Sequence, residues 1–169
     1  MWLAPAKLAD VASAIAKALV ERKLIETESV KDVSADVAAV LEQYVRDEQD
    51  ISTRARDLAS ARGVPPPEAA RIKRDLAKQR GIGVGDDAID YVLDQLLEML
   101  MHSASVEEIF GADHDLKRAM REPLRETESA ADKLDETVRG RLKHVTEGTP
   151  QWEIEYRRIR EEIARRRGS

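Results

Sequence analysis

"QRGIGVGDDAIDYVLDQLLEMLMH", running from Gln79 to His102, is the stretch whose reading decides the fold. Its second half is apolar at Ile89, Val92, Leu93, Leu96, Leu97 and Leu100, positions that fill more than one narrow stripe of a helical wheel. A helix of that kind is central and packed on several sides. Its first half carries Gly81, Gly83 and Gly85 at alternate positions, followed by Asp86 and Asp87. Gly81 reads as the end of a preceding helix, and Asp86 as the N-cap of the next, where a carboxylate meets the positive end of the helix dipole. Gly81, Gly83, Gly85 and Asp86 together read as a flexible structural joint. Phosphate-cradling readings fail on chemistry. A P-loop needs G-x-x-x-x-G-K-[ST] after a strand, and here the spacing differs and the Lys-Ser/Thr pair is missing. A dinucleotide fingerprint needs G-x-G-x-x-G, whereas "GIGVGDD" would set two carboxylates where bare N–H groups must face a pyrophosphate.

Helical spacing continues outward in both directions. Leu8, Val11, Ile15 and Leu19 mark one face of a helix opening near Pro5. Val33, Val37, Val40, Leu41, Tyr44, Ile51, Ala55 and Leu58 mark a second that stops at Gly63. The prolines of "VPPPEAA" break the chain, and Pro66 or Pro67 opens a short helix that ends at Gly81. "SVEE" at Ser105–Glu108 has the form of a capping box and predicts a helix start. A further start follows at Asp113, with Pro123 expected to bend or restart that segment. Leu134, Val138, Leu142 and Val145 are in register, and Thr149 with Pro150 opens a last helix carrying Trp152, Tyr156, Ile159 and Ile163. No run of alternating residues predicts a strand. The expectation is an all-α multi-helix bundle of about six to eight helices. Its organisation reads as an N-terminal helical half (1–64), a connector with a short helix (65–85) and a C-terminal half (86–169). An echo of "SVKDV" at Ser29–Val33 in "SVEEI" at Ser105–Ile109, and of "DVAAVLEQYVRD" from Asp36 in "DLKRAMREPLRE" from Asp115, suggests that the two halves are similar.

Composition narrows the chemistry. The 169 residues contain no cysteine, which removes disulfides, thiolate nucleophiles and zinc-thiolate sites and fits a reducing compartment. Charged residues make up 36%, as expected of long helices with solvated faces, and the net charge of -5 opposes whole-protein attraction to nucleic acid or anionic lipid. The N-terminal apolar run is interrupted by Lys7, Asp10 and Lys17 and makes a poor signal peptide. No uncharged apolar run reaches the roughly 18 residues that a membrane span needs. The cytoplasm is the expected location.

Two clusters remain as candidate sites. His102, Asp113, His114 and Asp115 carry imidazole and carboxylate ligands suited to a divalent metal that could activate water, but no H-E-x-x-H spacing accompanies them. Asp86, Asp90, Asp94, Glu98 and His102 step by four, which drifts about 40° per step and forms a spiralling polar stripe instead of a compact site. No serine stands in a nucleophile elbow. Arg157, Arg158, Arg160, Arg165, Arg166 and Arg167 crowd the last helix and could neutralise the phosphates of RNA or DNA, although arginines also suit any helix C-terminus.

The blocks "RIKRDLAKQRGIGVGDDAIDYVLDQLLEML", "SVEEIFGADHDLKRAM" and "LKHVTEGTPQWEIEY", with the opening "LAPAKLADVASAIAKALVERKLIE", resemble a bacterial family catalogued as domain of unknown function 507. The resemblance implies a small helical bacterial protein of the cytoplasm and transfers no activity to any residue. With no catalytic set, no cofactor and no metal site expected, the leading expectation is a non-enzymatic adaptor or scaffold with a protein partner. Association with RNA, DNA or the ribosome through the arginine-rich helix, and metal-dependent hydrolysis, are the alternatives.

Overall fold

Every long element within residues 2–167, the part of the chain that the computed structural model describes, is an α-helix. A 3₁₀ turn at Pro5–Lys7 leads into α1, Leu8–Glu21, whose buried Leu8, Val11, Ala12, Ile15, Ala16 and Leu19 form one face. The next helix, α2, is an unbroken 33 residues from Val30 to Arg62, about 50 Å at 1.5 Å per residue. It starts where the Ser29 hydroxyl accepts the Asp32 N–H at 3.1 Å, and ends at left-handed Gly63. Helix α3, Pro66–Arg80, follows the proline break and ends at Gly81. Helix α4, Ala88–His102, buries Ala88, Val92, Leu93, Leu96, Leu97 and Leu100, the broad apolar face expected of a central helix. Helices α5, Asp113–Arg141, and α6, Pro150–Arg167, complete the all-α bundle.

Three local expectations are corrected. "SVEE" does not open a helix: the Glu107 N–H donates to the Glu26 carbonyl at 2.9 Å, and Glu108–Ile109 forms a short strand, β2. It pairs antiparallel with β1, Ile25–Glu26, so a minimal ladder exists where no strand was expected. Two loops leaving α1 and α4 satisfy each other's backbone groups, a need that outweighs the local capping pattern. Pro123 does not restart the chain: α5 continues through it. An internal proline costs about 3 kcal/mol. Its neighbours Leu116, Ala119, Met120 and Leu124 are fully buried, and each large apolar side chain returns about 1.5–3 kcal/mol. One helix thus stands where two were expected. Finally, Asp86 does not cap α4; it lies inside a 3₁₀ turn, Gly85–Asp87, and no side-chain cap bond is made there.

The chain divides into two compact units within α5, Leu3–Arg125 and the part from Glu126 onward. In the first unit α2 packs against α1, α3 and α4. The order 3₁₀ turn, helix, two-residue strand, long helix occurs twice there, once through α1, β1 and α2 and again through α4, β2 and α5. The two strands are partners, with Ile25 opposite Ile109 and Glu26 opposite Glu108. Counting outward from this ladder matches Ser29, whose carbonyl accepts from Asp32 and Val33, with Ala112, whose carbonyl accepts from Asp115 and Leu116. The fully buried Val33, Val37 and Leu41 of α2 then match the fully buried Leu116, Met120 and Leu124 of α5. Buried Val11, Ala12, Ile15, Ala16 and Leu19 repeat the spacing of Val92, Leu93, Leu96, Leu97 and Leu100, two residues out of the ladder's register because the loop into β2 is longer by two. This register differs from that of the sequence echo, which aligned capping letters instead of buried faces.

The second unit is a helical hairpin with its own core of Val138, Leu142, Trp152, Ile159 and Ile163. Thr149 caps α6, accepting the Trp152 N–H at 3.2 Å, as its sequence predicts. So small a core leans on polar anchors. Arg139 lies over the Trp152 ring at 5.3 Å and ties Asp135 to Glu147, while the Tyr156 hydroxyl donates to Asp135.

Two predictions follow from these anchors. Glu48 is the single charged group among the buried core positions of α2, and it accepts from Ser52 and from Lys73 of α3. Removing one member of a buried pair strands the other, so Lys73→Met should cost roughly 3 kcal/mol in urea unfolding. The double variant Glu48→Met/Lys73→Met should recover most of that loss. In the hairpin, burial first and the Asp135 hydrogen bond second push the Tyr156 phenol up to about 12. A raised phenol value favours the folded state fully below about pH 10, the ordinary value, and that contribution is lost as pH rises through about 12. Thermal melts should show this alkaline loss in the native chain and a smaller one in Tyr156→Phe.

Candidate functional site

An open groove of about 560 Å³ lies between α2 and α4. Helix α2 supplies Asp36, Val40, Gln43 and Asp47 at steps of four, three and four, and α4 supplies Tyr91, Gln95, Met99 and His102 at steps of four, four and three. Those spacings place each set along one edge of its helix. Ser103 to Ser105, where the chain leaves α4, close one end. The Ser103 hydroxyl donates to Asp36 at 2.5 Å, and Thr27 holds the Ser105 carbonyl at 2.6 Å, so this end is fixed.

Its floor is aromatic and apolar. Tyr44 and Tyr91 meet with ring centroids 5.9 Å apart, tilted by 43°. Burial, with the Asp47 carboxylate as a second cause, pushes the Tyr91 phenol above its ordinary value, against a smaller opposing pull from Arg80. Tyr91 therefore stays a neutral donor at physiological pH. Asp47 accepts from Gln43 at 3.1 Å and lies 3.5 Å from the Arg80 guanidinium. The lining contains two carboxylates, Asp36 and Asp47, and no lysine or arginine. Such a surface can hold an apolar stem that ends in a cation.

The glycine-rich stretch borders this groove, and each glycine has a separate cause. Gly81 is left-handed at φ +67°; its N–H bonds to the Lys78 carbonyl and that of Ile82 to Ala77, which closes α3. Gly83 is needed for close approach. A Cβ there would stand 2.6 Å from both the Asp87 carbonyl oxygen and Tyr91 Cβ, and the Gly83 carbonyl accepts the Tyr44 hydroxyl at 3.0 Å. Gly85, at φ +60°, opens the 3₁₀ turn that holds Asp86. At Gly83 the supposed joint is a packed contact.

Of the His102, Asp113, His114 and Asp115 cluster, only His102 lines this groove. His102 lies 3.8 Å from Glu98 and His114 3.3 Å from Asp115, both histidines well exposed. Among the described residues no group of three or more His, Cys, Asp or Glu side chains could hold a metal ion. Two members of the acidic stripe of α4 are tied to α5 on the exposed surface, Asp90 by Arg121 at 3.1 Å and Asp94 by Lys117 at 2.6 Å. On α6, Arg158 pairs with Glu155 at 2.8 Å, Arg166 with Glu162 at 2.9 Å, and Arg165 donates to the Glu161 carbonyl at 3.4 Å. Arg157, Arg160 and Arg167 share one side of the helix, but Arg158 and Arg165 lie about a quarter-turn away and Arg166 farther round, so no single face gathers the six. Sequence reasoning missed the groove because its walls lie some fifty residues apart, and Asp36, Gln43, Asp47 and Met99 each look like ordinary solvated positions.

No helix among the described residues is long and apolar enough to cross a membrane. A family model described as "Protein of unknown function (DUF507)" matches residues 1–169, the whole chain, and the chain belongs to that family. No curated protein matches it.

The contact at Gly83 makes a direct prediction. Gly83→Ala forces a methyl against backbone and should cost about 1–3 kcal/mol, as overpacking does. Gly140→Ala, inside α5 with open space around its Cβ position, should instead gain up to about 1 kcal/mol. Urea unfolding of the two variants side by side checks both signs.

Proposed function

We propose that this DUF507 protein is a non-enzymatic adaptor of the bacterial cytoplasm that holds a basic helical segment of a partner protein in the groove between α2 and α4. One observation carries the reading: a tyrosine-floored groove whose lining holds the carboxylates Asp36 and Asp47 and no lysine or arginine. The two carboxylates are eleven positions apart on α2, about 16 Å at the helical rise. That is the span of about three helical turns, which suits a helix docked by apolar anchors at i, i+3, i+4 and i+7. Charge complementarity then selects a partner whose flanking positions are lysine or arginine. The cytoplasmic placement is supported by the cysteine-free composition, which suits a reducing compartment.

The test uses amphipathic leucine–lysine and leucine–glutamate peptides of equal length, titrated into isotope-labelled protein. The lysine peptide should shift the amide signals of Val40, Tyr44, Tyr91 and Met99, and the glutamate peptide should not. Asp36→Lys/Asp47→Lys should weaken the lysine peptide at least tenfold. Shifts confined to other surfaces, or equal binding of both peptides, would overturn the reading.

A further inference from the structure

Charge along this chain is segregated in a way that its overall balance conceals. Residues 51–81 hold eight lysines and arginines against three acids, Asp57, Glu68 and Asp75, although the whole chain is net -5. This segment is the C-terminal half of α2 and all of α3, packed on each other through Ile51, Ala55 and Ala59 of α2 and the stripe Ala69, Ile72, Leu76 and Ala77 of α3. Two of the eight cations are used internally, Lys73 by Glu48 and Arg80 by Asp47 and Asp50. Arg54, Arg56, Arg62, Arg71, Arg74 and Lys78 are exposed and form no ion pair among the described residues.

Geometry sharpens the surface. Arg71, Arg74 and Lys78 stand at i, i+3 and i+7, which places them in one stripe along α3, opposite the Ile72 and Leu76 face. The stripe runs about 10 Å at the helical rise. Residues 51–81 contain no aromatic side chain, so the surface has no stacking platform for unpaired bases. The apolar positions of α3 face α2, so it lacks the outward apolar face by which helices lie in a membrane surface. Glu68 and Asp75 flank the cationic stripe on one side. A helix sunk into a wide groove between two phosphate rows would press these carboxylates against phosphate. The deep, narrow major groove of an A-form duplex admits no helix, and recognition there comes from outside, across the phosphates. A single outward stripe suits that mode.

We propose that the outward face of the α2–α3 hairpin, centred on Arg71, Arg74 and Lys78, docks along the phosphate backbone of double-stranded RNA. It makes no sequence-specific contact and draws its affinity from counterion release. The site is independent of the groove between α2 and α4, and either can fail alone.

A fluorescein-labelled RNA duplex of arbitrary sequence, titrated with the full chain and read by anisotropy between 25 and 200 mM salt, tests this. Three phosphate contacts, one from each residue of the stripe, predict a log–log salt slope of about -3. Arg71→Gln/Arg74→Gln/Lys78→Gln changes only exposed helical positions. It should weaken binding at least tenfold and reduce the slope by about three, since each phosphate contact contributes about one. Asp36→Lys/Asp47→Lys should retain RNA binding with an undiminished slope. The proposal is overturned if the RNA duplex does not bind at 25 mM salt. It is also overturned if the triple glutamine variant, folded by circular dichroism, binds with unchanged affinity and slope. A DNA duplex or phosphatidylserine vesicles bound more than tenfold tighter than RNA would overturn the assignment to RNA.

Discussion

Continuous burial along one face of α2 is the constraint on which the first unit depends. Val33, Val37, Leu41, Tyr44, Val45, Ile51, Ala55 and Ala59 follow steps of three and four over most of its length, and α1, α3 and α4 each pack on part of it. An isolated helix is marginal in water, whatever its propensity, so the helix persists because others cover its apolar face. Its one buried charge, Glu48, falls where α3 joins and takes a lysine from that helix. Such a pair adds little net stability over an apolar pair, but it fixes which faces of α2 and α3 can meet.

From that hub the two candidate surfaces arise as what packing leaves over. Where α4 lies beside α2, their outer edges diverge and leave the tyrosine-floored groove, with Gly83 allowing the entering chain to come close enough for Tyr44 to hold it. Farther along α2, α3 packs on Ile51, Ala55 and Ala59, and the charged side chains of the hairpin stand outside this narrow apolar seam. The acidic and basic surfaces thus share one helix at different heights.

Much of this was legible in residue order. Periodicity located the helices, Gly63 and Gly81 ended the helices they were expected to end, and Thr149 capped α6. Two of the misreadings share a cause. Ser105 and Pro123 carry strong local signals, and each was overridden by partners distant in sequence, the β1 carbonyls for Ser105–Glu108 and the buried faces around Pro123, whereas Asp86 was taken into a local 3₁₀ turn. The repeat shows the same thing. Matching letters suggested one register, whereas the ladder and buried positions give another, since a twofold arrangement preserves buried faces and not capping motifs.

The sequence by itself determined the helical class, the broad burial of α4 and the concentration of arginine and lysine between residues 51 and 81, because periodicity and charge are properties of neighbours along the chain. Tertiary structure alone decided which cations are left free and which are consumed, since Lys73 and Arg80 look no different from Arg71 and Arg74 until Glu48, Asp47 and Asp50 stand beside them. It likewise decided the groove, whose walls meet only when α2 and α4 pack, and the meaning of Gly83, whose missing side chain matters only because Tyr91 occupies that space. Contacts between residues far apart in the chain carry no signature in local pattern, because the forces that make them act through space.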